Sequence, residues 1–155
     1  MHPHPPPPLA VRRSHGLWLL AVVTGVYETG LAIACAYAGP GLGTGELLVN
    51  LAVRSTAFGL VVFLSQRMRD GSDSARWTLA VLFGVAGLVT LVAGPAAWVL
   101  DGNTLAILDV SILEWILATS RVVHALAVVV AVSTMFTPAA NRWFAGRPAM
   151  IGASS

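Results

Sequence analysis

Four apolar stretches, each close to the length that crosses a lipid bilayer, constrain the fold more than any other feature of this sequence. A helix needs about 20 apolar residues to cross a hydrocarbon core of about 30 Å. No stretch alternates apolar and polar residues as the strands of a membrane barrel do, and helices satisfy their own backbone groups inside lipid. We therefore expect an all-α fold, a bundle of four transmembrane helices. The predicted spans are Gly16–Ala38, Glu46–Gln66, Thr78–Leu100 and Ile112–Phe136.

The small number of charged residues argues against the soluble classes of protein. Only 10% of the 155 residues are charged, whereas a soluble domain carries about 25%. A soluble enzyme, a nucleic-acid-binding domain and a disordered chain do not fit this composition. All nine cationic residues are arginine and none is lysine, which indicates a GC-rich genome such as that of an actinobacterium.

The arginines outside the apolar stretches predict the orientation of the helices. Seven arginines lie in the N-terminal flank, the middle loop and the C-terminal tail, whereas the loops 39–45 and 101–111 contain none. Cytoplasmic flanks are the ones enriched in arginine and lysine, so we expect both termini in the cytoplasm and the protein in the cell inner membrane. The seven residues are Arg12, Arg13, Arg67, Arg69, Arg76, Arg142 and Arg147.

These spans divide the chain into three parts. Residues 1–15 are rich in proline, so we expect a disordered or polyproline tail there. Residues 16–136 form the transmembrane domain. Residues 137–155 mix arginine with aromatic residues, and we expect this tail to lie at the cytoplasmic interface.

Ionisable residues inside the predicted spans are the candidates for function, because charged side chains are rare within lipid. Glu28, Arg54 and His124 each lie 12 residues from the cytoplasmic end of their span, a depth of about 18 Å at 1.5 Å per residue. We therefore predict that three helices bring a polar group to one level near the bilayer midplane. The predicted buried polar cluster comprises Glu28, Asn50, Arg54, Glu114, Arg121 and His124.

Within this cluster we expect Glu28 and Arg54 to form a charge-assisted pair, because the short loop 39–45 makes their helices neighbours. Two glutamates and two arginines balance one another, as burial of charge requires. One interpretation is that such pairs only fix helix register. The other interpretations are a proton- or ligand-linked site built on Glu28 and His124, or polar groups that face another protein chain.

The third span has no charged residue, and small residues recur along one side of it. We expect this seam to pack closely against a neighbouring helix. The seam consists of Ala80, Gly84, Gly87 and Gly94. The sequence contains no nucleotide-binding loop, hydrolase motif or metal-ligand spacing, so we expect no enzymatic activity, no cofactor, no metal and no nucleic-acid partner.

Three short motifs and the helix around Arg54 resemble small four-helix membrane proteins of actinobacteria. The motifs are GVYETG at 25–30, ARW at 75–77 and PAANRWF at 138–144. The resemblance covers most of the chain and implies the fold without an activity. Through Glu28 in the first span the chain also resembles small multidrug resistance transporters, which implies proton-coupled export. The chain is longer than those transporters and adds two arginines and a histidine opposite the glutamate.

Three functions are compatible with these patterns. The lack of catalytic motifs, the short loops and the seam favour a non-catalytic accessory subunit of a larger inner-membrane complex, such as a lipid-transport permease or a respiratory assembly. Its partners would be other membrane subunits and lipid. The alternatives are a small proton-coupled transporter that uses Glu28, and a lipid- or quinone-binding membrane module with a pocket near Arg54.

Overall fold

Helices make up the fold, and the described residues contain no strand. A computed structural model describes residues 6–38, 43–102 and 111–146. Four helices are long and apolar enough to cross a membrane, which confirms the predicted all-α architecture. The elements are α1 (Leu9–Ala38), α2 (Thr44–Arg69), α3 (Asp73–Thr78), a π-helix (Leu79–Ala86), α4 (Gly87–Leu100), α5 (Ile112–Met135) and α6 (Pro138–Ala145).

The third span is a single continuous helix made of α3, the π-helix and α4. It begins after Ser72, whose side chain accepts a hydrogen bond from the backbone nitrogen of Ala75 at 3.3 Å, as an N-cap residue does. A π-helix bonds residue i to residue i+5 and therefore has a wider turn than an α-helix. The interior of the third span thus departs from the α-helical spacing on which the predicted seam was based.

The first helix begins seven residues earlier than predicted, at Leu9 directly after the last proline of the N-terminal run. Val11 and Ser14 are fully buried, and the Ser14 hydroxyl donates a hydrogen bond to the Ala131 carbonyl of α5 at 2.9 Å. The prediction of a disordered tail therefore does not hold for residues 9–15, because they pack on α5. Residues 1–5 of that tail, the loop residues 39–42 and 103–110, and residues 147–155 of the C-terminal tail lie outside the described part.

The apolar core lies at one end of the bundle, which we call the core end. There α1 and the third span begin, α2 and α5 end, and α6 packs across them. All six described arginines of the predicted cytoplasmic flanks belong to elements at this end. The main buried apolar side chains are Val11, Trp18, Val61, Met68, Leu79, Val128, Met135 and Phe144.

Candidate ligand-binding cavity

A cavity of about 920 Å³ lies among the four long helices, near the upper end of the range of about 300–1,000 Å³ for small-molecule sites. Core residues Trp18, Val61 and Val128 line it at the core end. On α2 the lining extends from Val61 back to Gly45, about 24 Å along the helix axis. The core therefore forms the floor of a long space that begins where tight packing ends.

Both polar and apolar side chains line this cavity. The apolar wall is formed mainly by valine, leucine and phenylalanine from all four helices. The ionisable and amide side chains come from α1, α2 and α5. They are Glu28, Glu46, Asn50, Arg54, Arg121 and His124.

Glu28 and its neighbours form the contact between α1 and α5 beside the cavity. The Ser120 hydroxyl donates a hydrogen bond to the Glu28 carboxylate at 3.0 Å, and Glu28 is only 9% exposed. One helical turn away, the Thr24 hydroxyl lies 3.3 Å from Nδ1 of His124. Sequence reasoning did not identify either hydroxyl residue.

Gly25 lies at the closest approach of α1 to this polar group. A Cβ at this position would lie 2.7 Å from Cε1 of Phe58 and 3.4 Å from Cε1 of His124. Real Cβ atoms essentially never approach another atom this closely, so the phenylalanine ring reaches α1 only because residue 25 has no side chain. The GVYETG motif therefore combines a packing glycine with the buried carboxylate of Glu28.

Arg54 does not pair with Glu28. Nε of Arg54 donates a hydrogen bond to Oδ1 of Asn50 on the same helix at 2.8 Å. No ion pair between described residues joins Arg54 to Glu28. The predicted charge-assisted pair is wrong because each side chain has a different neighbour, Asn50 for the arginine and Ser120 for the glutamate. Both residues nevertheless line the same cavity.

Arg121 lines the same cavity from α5. Among the residues that the structure describes, its guanidinium group takes part in no hydrogen bond or ion pair. Asn50, Arg54 and Arg121 are exposed rather than buried as predicted. All three line the cavity rather than the packed core.

Glu114 lies apart from this site, in the first turn of α5. Its carboxylate accepts hydrogen bonds from the backbone nitrogen and the hydroxyl of Ser111, both at 2.8 Å, and its own backbone nitrogen donates to that hydroxyl. This reciprocal arrangement is a capping box, which the Ser-x-x-Glu spacing in the sequence could have revealed. Glu114 is exposed and stabilises the start of the helix.

The small-residue seam of the third span is divided by the structure. Ala80 and Gly84 are buried, and a Cβ on Gly84 would lie 2.8 Å from Cγ2 of Val132 on α5. Gly87 has no neighbouring atom within 4 Å of a Cβ position and lines the cavity. Gly87 therefore faces the cavity rather than a closely packed neighbour. The surroundings of Gly94 lie outside the described part.

A second polar cluster, centred on Arg76, joins the third span to α6 at the core end. Its guanidinium group lies 2.7 Å from the Asp73 carboxylate and donates to Oδ1 of Asn141 at 2.8 Å. The same group lies over the rings of Phe136 and Phe144, at 4.9 and 4.4 Å from their centroids. Counting Arg76 only as a flanking cation missed this role.

The ARW and PAANRWF motifs of the sequence are in direct contact through this cluster. Besides the contacts of Arg76, the rings of Trp77 and Phe136 lie 4.9 Å apart, and the Asn141 amide donates to the Phe136 carbonyl at 3.1 Å. The cluster buries its charge between aromatic rings and fixes the C-terminal helix on the bundle. These contacts indicate a structural role.

Within the described part of the chain, no group of three or more histidine, cysteine, aspartate or glutamate residues could hold a metal ion. The cavity is therefore the site on which a functional proposal can be based. Comparison of the chain with protein-family models, with curated proteins and with solved structures finds no match.

Proposed function

We propose that this protein is a membrane-embedded binding module whose cavity holds an amphipathic small molecule of the lipid or quinone type. The observation that carries the proposal is the cavity of about 920 Å³, with its apolar floor and its polar groups higher on the wall. A molecule with a polar head and a hydrocarbon part satisfies both kinds of surface at once. A fully polar or a fully apolar molecule would leave one of them without a partner.

We further propose the inner membrane as the location, with both termini in the cytoplasm. Four apolar helices support a membrane protein. The six described flanking arginines belong to elements at the core end, which supports placing that end in the cytoplasm. The cavity then extends from the membrane interior towards the non-cytoplasmic side of the membrane.

Trp18 provides a direct test of the proposal because it lines the cavity and is only 1% exposed. A variant that keeps Trp18 and replaces the other four tryptophans with phenylalanine is placed in lipid nanodiscs. Alcohols and quinones with brominated alkyl chains are added as fluorescence quenchers. We expect saturable quenching of Trp18, because the bulk lipid does not reach this side chain.

Two alanines of α2 provide a matched pair of control variants. Ala57 lines the cavity, whereas Ala52 is exposed and does not. Ala57→Phe fills part of the cavity and should weaken saturable quenching at least about tenfold, whereas Ala52→Phe should leave it unchanged. Quenching that rises linearly without saturation, or that responds equally to both substitutions, would overturn the proposal.

A proton-coupled transporter that uses Glu28 is the second candidate, and one contact favours it. The carboxylate accepts a hydrogen bond from the neutral Ser120 hydroxyl and has no guanidinium partner among the described residues. A paired arginine would hold the carboxylate ionised, whereas a hydroxyl also allows the protonated form. If a brominated ligand releases protons from the parent protein but not from Glu28→Gln, the result would support transport. Identical proton release from both proteins would exclude it.

The interpretation as an accessory subunit of a larger complex stays a prediction, as does the expected lack of enzymatic activity. Purification of the tagged chain from its native membrane in mild detergent tests the first. A stable stoichiometric membrane partner would support that interpretation. A chain that purifies alone and binds its ligand alone would contradict it.

A further inference from the structure

We propose that the ligand of this cavity is an anionic amphiphile, whose carboxylate or phosphate head is bound by Arg54 and Arg121. Its hydrocarbon chain then extends towards the floor at Trp18 and Val61. This inference rests on the proposed binding function and names the chemical class of the ligand.

The two arginines of the cavity keep most of their hydrogen-bond donors unused by the residues that the structure describes. A guanidinium group carries five N–H donors. Arg54 uses its Nε donor on Asn50, and Arg121 donates to none of the described residues. Both residues line the cavity, so their remaining donors are available to a ligand.

The acidic groups of the cavity do not neutralise these arginines directly. Glu28 is 9% exposed and already accepts a hydrogen bond from Ser120. Glu46 lies in the first turn of α2, eight residues or about 12 Å along the axis from Arg54. Cationic donors therefore predominate at the middle of the cavity.

A guanidinium group within a bilayer is costly without an anionic partner. Carboxylate and phosphate groups match the planar fork of a guanidinium group and form two parallel charge-assisted hydrogen bonds with it. An acidic head placed between α2 and α5 would thus remove the cost of two guanidinium groups that have no anionic partner among the described residues. A trimethylammonium head would add a third positive charge at the same place.

The position of Arg54 on α2 leaves room for a hydrocarbon chain below the head. Seven residues separate Arg54 from Val61 at the floor, about 10 Å along the helix axis. The walls in this part of the cavity are mainly apolar, with the His124 ring beside Phe58. They include Val22, Ala57, Phe58, Phe83 and Val128. An inorganic anion alone would leave this surface uncovered, so the site suits an acid with an attached chain.

The experiment compares ligands that share one brominated alkyl chain and differ only in the head. The heads are carboxylate, phosphate monoester, hydroxyl and trimethylammonium, and quenching of Trp18 in the single-tryptophan variant reports binding. We expect both acids to bind at least about tenfold more tightly than the alcohol, the size of one charge-assisted hydrogen bond. Comparison of the affinities for the two acids then shows which head is preferred, carboxylate or phosphate.

Arg121→Gln should reduce the affinity for the acids to that for the alcohol, and it removes no hydrogen bond or ion pair with a described residue. Arg54→Gln should act in the same direction. Arg67→Gln is the matched control, because Arg67 lies against Phe63 and does not line the cavity. This control should bind every ligand as the parent protein does.

The outcomes separate the two proposals. Saturable binding of the alcohol with no preference for either acid would overturn the anionic class and leave the binding function in place. A preference for trimethylammonium would also overturn it and favour the transporter candidate. Displacement of the acid by inorganic phosphate at equal concentration would show that the cavity does not recognise the hydrocarbon chain of the ligand, and would overturn that part of the proposal. No saturable quenching by any ligand would overturn the binding function itself.

Discussion

Removal of Arg76 should detach α6 from the bundle, and the size of the effect can be derived from its contacts. The hydrogen bond to Asn141 is charge-assisted and contributes about 1.5–3 kcal/mol. The two ring contacts with Phe136 and Phe144 contribute about 0.5–2 kcal/mol each. The pair with the half-exposed Asp73 contributes only about 0.2–1 kcal/mol. Arg76→Met, which keeps most of the apolar stem, should therefore destabilise the fold by about 3–8 kcal/mol.

A double-mutant cycle isolates the contact between the third span and α6. Arg76→Met, Asn141→Ala and the double variant are unfolded reversibly in mixed micelles, and the free energy of unfolding is measured from helix content. We expect the two substitutions to be non-additive by about 1.5–3 kcal/mol, since each removes the same hydrogen bond. Arg69→Met is the control because Arg69 is exposed at the end of α2. Additivity within about 0.5 kcal/mol would refute the view that this contact holds α6 in place.

Two further predictions concern packing and the buried carboxylate. Gly84→Ala should destabilise the fold by about 1–3 kcal/mol, because its Cβ would lie 2.8 Å from the stiff Val132 side chain. Gly87→Ala, with free space around it, should instead stabilise the helix by about 0.5–1 kcal/mol. Equal effects of the two substitutions in thermal unfolding would contradict the packing argument. Ser120→Ala should cost about 1–3 kcal/mol because it removes the hydrogen bond to the Glu28 carboxylate, and an unchanged free energy of unfolding would show that this bond contributes nothing.

The helices of this protein are predictable because a bilayer demands long apolar segments, and the sequence has four of them. That Glu28, Arg54 and His124 face one space is also predictable, since counting residues along straight helices places them at similar depths. These three side chains line one cavity. Their pairing was not predictable in the same way, because helix rotation decides which side chains meet.

Other features leave weak signals in the sequence. Ser120 is one of two serines in the apolar helix α5, and nothing in its spacing marks it as the donor to Glu28. The π-helix at Leu79–Ala86 changes the hydrogen-bond register without changing hydropathy, so hydropathy gives no sign of it, and the sequence does not show that Gly87 faces open space. Arg76 could be recognised only by considering the ARW and PAANRWF motifs as partners.

The unequal packing along the bundle gives its two halves unequal resistance to local opening. Near Met68 the end of α2 is buried against the core, whereas residues 48–56 near its start are exposed. Segments with few buried contacts open at a lower free energy than the whole fold. Amide hydrogen exchange should therefore proceed from the start of α2 towards its end. A ligand that joins α2 to α5 through their arginines would slow exchange in that first half while the core end stays as protected as before.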